Sequence, residues 1–363
     1  MRRIAIAFAI ALALLFALGR PVAWTEAALV VFDIAGGGPW QWLTDKPVER
    51  SATWPQGEGD LYTPAVKVRA ALVLVPGAAA LGREEPRLQA LARTLARAGF
   101  AVLVPELPEV RRFALSRRDA DRVADALRHL RATYADAPLG VMAISYGVAP
   151  ALIAATEDDL APRLAFAVGI GGYRDTEAAI RFVTTGAFRV RGDGREHRVE
   201  PNLYGRWAFV LANAGRLENT ADSAGLAEIA LRRWRDPAAD IADLAGKLGP
   251  QGRAVLALAD NRDPDAVIRL INALPETIRR EIDGLNLALY DLGKLRGHLI
   301  LVHGRGDLTV PYSESEMLAT AASNARVSLF LIDGIGHVEF NAVTAANAWK
   351  MWQAGLALLD ERR

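Results

Sequence analysis

A serine hydroxyl becomes a working nucleophile only when a base can take its proton and an acid holds that base in place. Three residues of this chain have the type and setting for those parts. Ser145 closes the apolar run Val141-Met142-Ala143-Ile144 and is followed by Tyr146-Gly147. Small residues, Ala143 and Gly147, stand two positions to either side, as a tight strand-to-helix turn requires. Glycine is usual at the first of these positions, so Ala143 is a mild departure. Asp307 lies in a Gly304-x-x-Asp307-x-x-Val310-Pro311 setting, and His337 in the loop Asp333-Gly334-Ile335-Gly336-His337. Of the five histidines, His129 and His197 sit among arginines and read as solvated, and His298 precedes a strand. His303 and His337 follow strands in glycine-rich loops, and His337 is the expected base. Asp307 is the expected acid, because Asp333 is too near His337 in sequence to orient it. The chemistry would be acyl transfer through Ser145. The developing oxyanion needs backbone N–H donors, worth roughly 3 kcal/mol each. Tyr146, next after the serine, and Ala78, in the small-residue loop Pro76-Gly77-Ala78-Ala79-Ala80, are the candidates.

The elements that must position these residues alternate. Ala70 to Val75, Phe100 to Val104, Leu139 to Ile144 and Leu164 to Ile170 are short apolar runs, the pattern of strands covered on both faces. Between them lie helical patterns: Pro86 to Ala98 with Gly99 at the C-cap position, Ser116 to Arg131 opened by a capping-box sequence, and Val148 to Thr156. Glu58 to Thr63 alternates as a strand. This order predicts an α/β fold with a mostly parallel sheet and helices on both faces. From Asp175 to Leu295 the pattern turns helical, with Arg189 to Arg198 read as an exposed loop. Strands return at Leu299 to Val302 and Val327 to Ile332, and a helix over Ala342 to Leu359 closes the chain. Residues 21–175 and 296–363 are thus expected to form one core, with 176–295 inserted as a helical cap before the last two strands. Residues 20–56 show little periodicity. The glycine-rich stretch Asp33 to Trp42 lacks the order of a nucleotide loop and reads as surface packing. Tyr173 and Arg174 follow a strand at the catalytic edge and are candidate substrate contacts.

The charges nearly balance, at net +1, so the chain lacks the basic surplus that a nucleic-acid partner needs. The absence of cysteine excludes disulfides, thiolate metal sites and cysteine nucleophiles. No ligand cluster implies a metal or an organic cofactor. Arg2-Arg3 precede an uninterrupted apolar run from Ile4 to Gly19, closed by Arg20-Pro21. Residues 1–20 therefore read as a signal peptide or a membrane anchor. The expected location is outside the cytoplasm: periplasmic or secreted, or tethered to the inner membrane.

Taken together, the serine turn, the Pro76-Gly77 loop, the His303-Gly304-x-x-Asp307 segment and the Gly336-His337 loop resemble the α/β-hydrolase superfamily, in particular esterase-like and dienelactone-hydrolase-like members. The likeness spans roughly residues 57–175 and 296–363. Members often carry His-Gly where this chain has Pro76-Gly77. The resemblance implies a serine hydrolase acting on a small-molecule acyl substrate, an ester, thioester or amide, through an acyl-enzyme. Acyltransferase and peptidase activities would use the same triad, and a non-catalytic ligand-binding protein is the alternative from another class.

Overall fold

The computed structural model describes residues 21–36, 38, 40–114, 116–200, 202–334, 336 and 344–363. The apolar segment 1–20, read above as a signal or anchor, lies outside the described residues.

Among the described residues ten strands are formed: β1 (Val48–Trp54), β2 (Gly57–Thr63), β3 (Ala70–Val75), β4 (Phe100–Pro105), β5 (Leu139–Ile144), β6 (Leu164–Ile170), β7 (Ala187–Arg189), β8 (Glu196–Arg198), β9 (His298–Gly304) and β10 (Arg326–Ile332). Eight of them make one sheet in the order β1-β2-β4-β3-β5-β6-β9-β10. Strands β4, β3, β5, β6, β9 and β10 run parallel, and β1 and β2 are antiparallel at one edge. Every residue of β3 and β4 is buried, which is why both strands are apolar throughout.

Successive side chains leave the sheet on opposite faces, so one strand feeds two cores. Ala71, Val73 and Val75 face a cluster that takes in the helices Arg118–Thr133 and Val148–Ala155. Leu72 and Leu74 face a second cluster, built with the helix Pro86–Arg97. The terminal helices complete this second layer. Helix Pro21–Gly36 buries Ala27 and Val30 against it, although the sequence there gave no period. That helix also packs on the C-terminal helix Ala345–Asp360. Trp24 meets Trp352 edge to face at 6.1 Å, and Trp352 Nε1 donates to the Trp24 carbonyl at 2.9 Å. Arg362 pairs with Glu26 at 2.6 Å beneath this contact.

Between β6 and β9 the chain builds mostly helices: Thr176–Thr185, Leu203–Asn213, Thr220–Arg235, Pro250–Ala259, Val267–Asn272 and Glu276–Gly284. They pack on clusters of their own, one around Trp207, Leu226 and Ile229, another around Val267, Ile271 and Ile282. Asn286 ties the end of this block to its beginning. It accepts from the Thr176 N–H at 3.4 Å and donates to Asp175 at 3.3 Å.

Two local expectations need correction. The stretch 189–198 is not wholly a loop, because β7 and β8 pair as a short antiparallel hairpin across it. The capping box at Ser116 does not form either. The Ser116 hydroxyl accepts from the Arg118 N–H at 3.3 Å, two residues on, while Asp119 turns inward.

Gly140 on β5 shows how closely the sheet is packed. A Cβ there would lie 2.2 Å from the ring of the buried Phe166. Gly140→Ala is therefore expected to cost about 1–3 kcal/mol through overpacking. Urea unfolding followed by circular dichroism measures that loss, and an unchanged midpoint would contradict the packing described.

Candidate active site

The sheet reverses its winding at β3. The chain leaves β3 for β4 on one side and returns to β5 on the other. At such a switch point the loops beyond the two strands part and leave a crevice. Ser145 follows β5 at that crevice, and Gly77-Ala78 follow β3.

Ser145 is held at φ +53°, in the left-handed region. For a residue with a Cβ this costs of order 1–3 kcal/mol, so the surroundings must impose it. They do so by close approach. A Cβ on Gly147 would lie 2.4 Å from the Pro76 carbonyl oxygen, and one on Gly77 3.3 Å from the Ser145 Cβ. Glycine at both positions lets the two loops touch. A single 3-10 turn, Ser145–Gly147, then leads into the helix Val148–Ala155. A strained serine on a strand-to-helix turn, after the fifth strand of a sheet ordered 1-2-4-3-5-6 from its antiparallel edge, is the arrangement of one known fold. The chain has the α/β-hydrolase fold.

Comparison with known proteins adds the following. No protein-family profile matches the sequence, and no curated protein matches it. Solved structures of similar fold include the Pyrococcus horikoshii acylaminoacyl peptidase, at 12% identity and a TM-score of 0.48 over 87% of this chain and 41% of that one. A dienelactone hydrolase from Anabaena variabilis is 14% identical, with a TM-score of 0.44 over 86% of this chain and 97% of the other. A monoacylglycerol lipase from Paleococcus ferrophilus is 15% identical, with a TM-score of 0.45 over 87% and 100%. The chain spans about two fifths of the length of the peptidase.

Within the hydrolase fold, Asp307 follows β9 and is buried. Its Oδ1 accepts from the N–H groups of Thr309 (2.7 Å) and Val310 (2.9 Å), which fixes the carboxylate plane. His303, at the end of β9, braces this turn. Its Nε2 lies 3.0 Å from the Val310 carbonyl and 3.3 Å from Asp307 Oδ2, and its Nδ1 lies 2.7 Å from the Ser315 hydroxyl. His337 lies outside the described residues. Asp333 is exposed and pairs with Lys350 at 3.2 Å.

The crevice opens into a cavity of about 1400 Å³. Ser145, Tyr146, Gly77 and Ala78 line it, as do Thr309 and Val310 beside Asp307. Tyr173 lines it too and is buried, whereas Arg174 is not among the lining residues. The N–H groups of Arg174 and Asp175 instead donate to the buried Glu314 carboxylate, at 2.9 and 2.8 Å, which anchors the loop carrying Tyr173. The helical block supplies much of the remaining wall, through Phe209, Leu226, Val255, Leu258, Ile278 and Ile282. Glu281 links this wall to the core. It accepts from the Arg117 N–H at 2.8 Å and pairs with Arg216 at 3.0 Å. Among the described residues the non-glycine positive φ angles are at Phe113 and Ser145, and both line this cavity. Among the described residues no cluster of acids and histidines could hold a metal ion, and no helix is long and apolar enough to cross a membrane.

Sequence reasoning missed the support beneath Tyr146. Its hydroxyl donates to Asp119 Oδ2 at 3.0 Å and accepts from the Ser116 N–H at 3.0 Å. Asp119 is fully buried, with no partner for Oδ1 among the described residues. Burial pushes its carboxyl up to about 7, against the opposing pull of the Tyr146 hydrogen bond. Only the placement of an acid one helical turn before an apolar stripe hinted at this, and that pattern usually marks a solvated helix start.

The Asp119 pair makes stability depend on pH. The folded chain holds the Asp119 proton more tightly than the unfolded chain does, so this contribution is complete below the ordinary carboxylate pKa of about 4 and is lost as pH rises through about 7. Asp119→Asn keeps the acceptor for Tyr146 and removes the titration. Urea unfolding at pH 5 and pH 8 should show wild type losing a few kcal/mol more than the variant between the two. Equal losses would show that Asp119 titrates normally.

Proposed function

We propose that the protein is a serine hydrolase that cleaves a carboxylic ester, with thioesters and amides as chemically related substrates. One observation carries this reading: a serine forced to φ +53° on the wall of a large, mostly apolar cavity at the sheet's switch point. Strain of this kind persists where a reactive group must be displayed and cannot relax.

In this reading Ser145 Oγ attacks the substrate carbonyl carbon while His337 takes its proton. The carbonyl π electrons move to oxygen, which the N–H groups of Tyr146 and Ala78 would hold. Collapse expels the alcohol, which receives the proton from His337 and leaves an acyl-serine. Water then attacks with the same base, and collapse releases the acid and restores Ser145. Asp307, its plane set by the Thr309 and Val310 N–H groups, orients His337 and stabilises its protonated form. Tyr173 would contact substrate directly, and Arg174 would act through the loop that it shares with Tyr173. The helical block 176–295 is read as a cap that selects substrate, and residues 1–20 as an export signal or tether.

A fluorophosphonate probe tests the central claim. Wild type should label at one site, and labelling should vanish in Ser145→Ala and His337→Ala at unchanged melting temperature. Hydrolysis of a short-chain 4-nitrophenyl ester should fall by about 10⁴-fold or more in Ser145→Ala and His337→Ala, and by roughly 10³–10⁴-fold in Asp307→Asn. A folded wild type that never labels, even at high probe concentration, would end the proposal.

A further inference from the structure

The charged groups around the cavity are mostly satisfied. Glu281 is paired with Arg216, and Arg93 with Glu49 at 2.9 Å. Arg97 keeps an unpartnered Nε but is only half-buried, where water can serve it. Arg206 differs. It lies in the helix Leu203–Asn213, lines the cavity, and is only 4% exposed. Its Nη1 donates to the Ala259 carbonyl. Its Nε and Nη2 have no hydrogen-bond partner among the described residues, and no described carboxylate pairs with it.

The identity of the two orphan nitrogens matters. Nε and Nη2 share one edge of the guanidinium, and their N–H bonds point the same way. That edge matches the two oxygens of a carboxylate. Leaving such a group buried and unpaired is destabilising. Burial lowers the Arg206 pKa to about 10, so the side chain is still a cation at neutral pH. Arg262 and Arg233 oppose its charge, while Asp260 and Glu200 favour it. The Trp207 ring, 6.0 Å from the guanidinium, backs the cation on another side.

We propose that Arg206 receives a carboxylate carried by the substrate away from its scissile bond, so that the preferred substrates are esters bearing a free carboxylate, such as hemiesters of dicarboxylic acids. This specificity rests on the hydrolase reading above, but the anion site itself does not. The guanidinium would hold one end of the substrate from the helical block while Ser145 attacks the other from the sheet.

Two measurements separate the site from the chemistry. The first is the ratio of kcat/KM for mono-4-nitrophenyl glutarate to that for 4-nitrophenyl pentanoate, which has the same number of acyl carbons and no charge. Wild type should favour the glutarate. In Arg206→Gln that ratio should fall by about 10–100-fold, and Arg206→Lys should recover part of it as a point charge without the fork. The ratio cancels any general loss of activity, and removing an unpaired buried charge should leave the melting temperature equal or raised. The second measurement is thermal stabilisation of Ser145→Ala by glutarate and by inorganic phosphate. Glutarate should raise the midpoint, phosphate should not, and adding Arg206→Gln should abolish the effect. If neither ester is cleaved yet glutarate binds through Arg206, the hydrolase reading fails and the anion site stands. If wild type cleaves both esters without preference and glutarate does not bind, the site is refuted. Stabilisation by phosphate alone would refute the carboxylate assignment.

Discussion

The close approach of two loops, Pro76-Gly77 and Ser145-Tyr146-Gly147, is the constraint on which the rest of the site depends. A methyl on Gly147 would drive into the Pro76 carbonyl, and the serine between them has no relaxed conformation to fall back to. That contact exists only because β3 and β5 are adjacent, which in turn requires the chain to reverse its winding between them. Residues 78 and 146, the turn that follows Asp307 and the loop at Tyr173 all line the same crevice because they follow strands of this one sheet edge.

The floor and the roof of the cavity are made differently. The floor belongs to a sheet sandwiched between two continuous cores, further clamped by the terminal helices through Trp24, Trp352 and the Arg362–Glu26 pair. The roof belongs to helices with small cores of their own and polar ties to the floor at Glu281 and Asn286. Backbone of the sheet edge therefore surrounds the serine, and much of the facing apolar wall, together with the buried Arg206, comes from the separately packed helices. The strained turn and much of the wall facing it thus belong to different parts of one chain.

Much of the sheet was legible because β3, β4 and β5 are buried on both faces and must be apolar throughout, whatever follows them. Ser145 and Asp307 could be singled out because each follows such a strand in a glycine-bearing turn. Helix Pro21–Gly36 was hidden for the opposite reason. It packs against the second cluster and the C-terminal helix while leaving Val22 and Phe32 exposed, so its apolar residues do not gather on one stripe. Asp119 misled because a carboxyl near a helix start ordinarily faces water, and only the distant Tyr146 hydroxyl turns it inward. Spacing could not show that His303 is locked between Ser315 and Val310, nor that Arg206 points inward, since an arginine within an amphipathic pattern normally marks the wet face.

The bonds from Asn286 to Asp175 and Thr176 bring the entry and exit of the helical block to within one side chain of each other. Roughly 110 residues thus leave the sheet and return to nearly the same point. Topologically the block is a detour. A gene encoding another detour with closely spaced ends could be spliced in at these positions without re-registering a strand, and drift within the present one need not disturb β6 or β9. The fold therefore offers evolution a socket: lineages could diverge in what they recognise by swapping or remodelling a single contiguous stretch, while the turn at Ser145 is inherited intact.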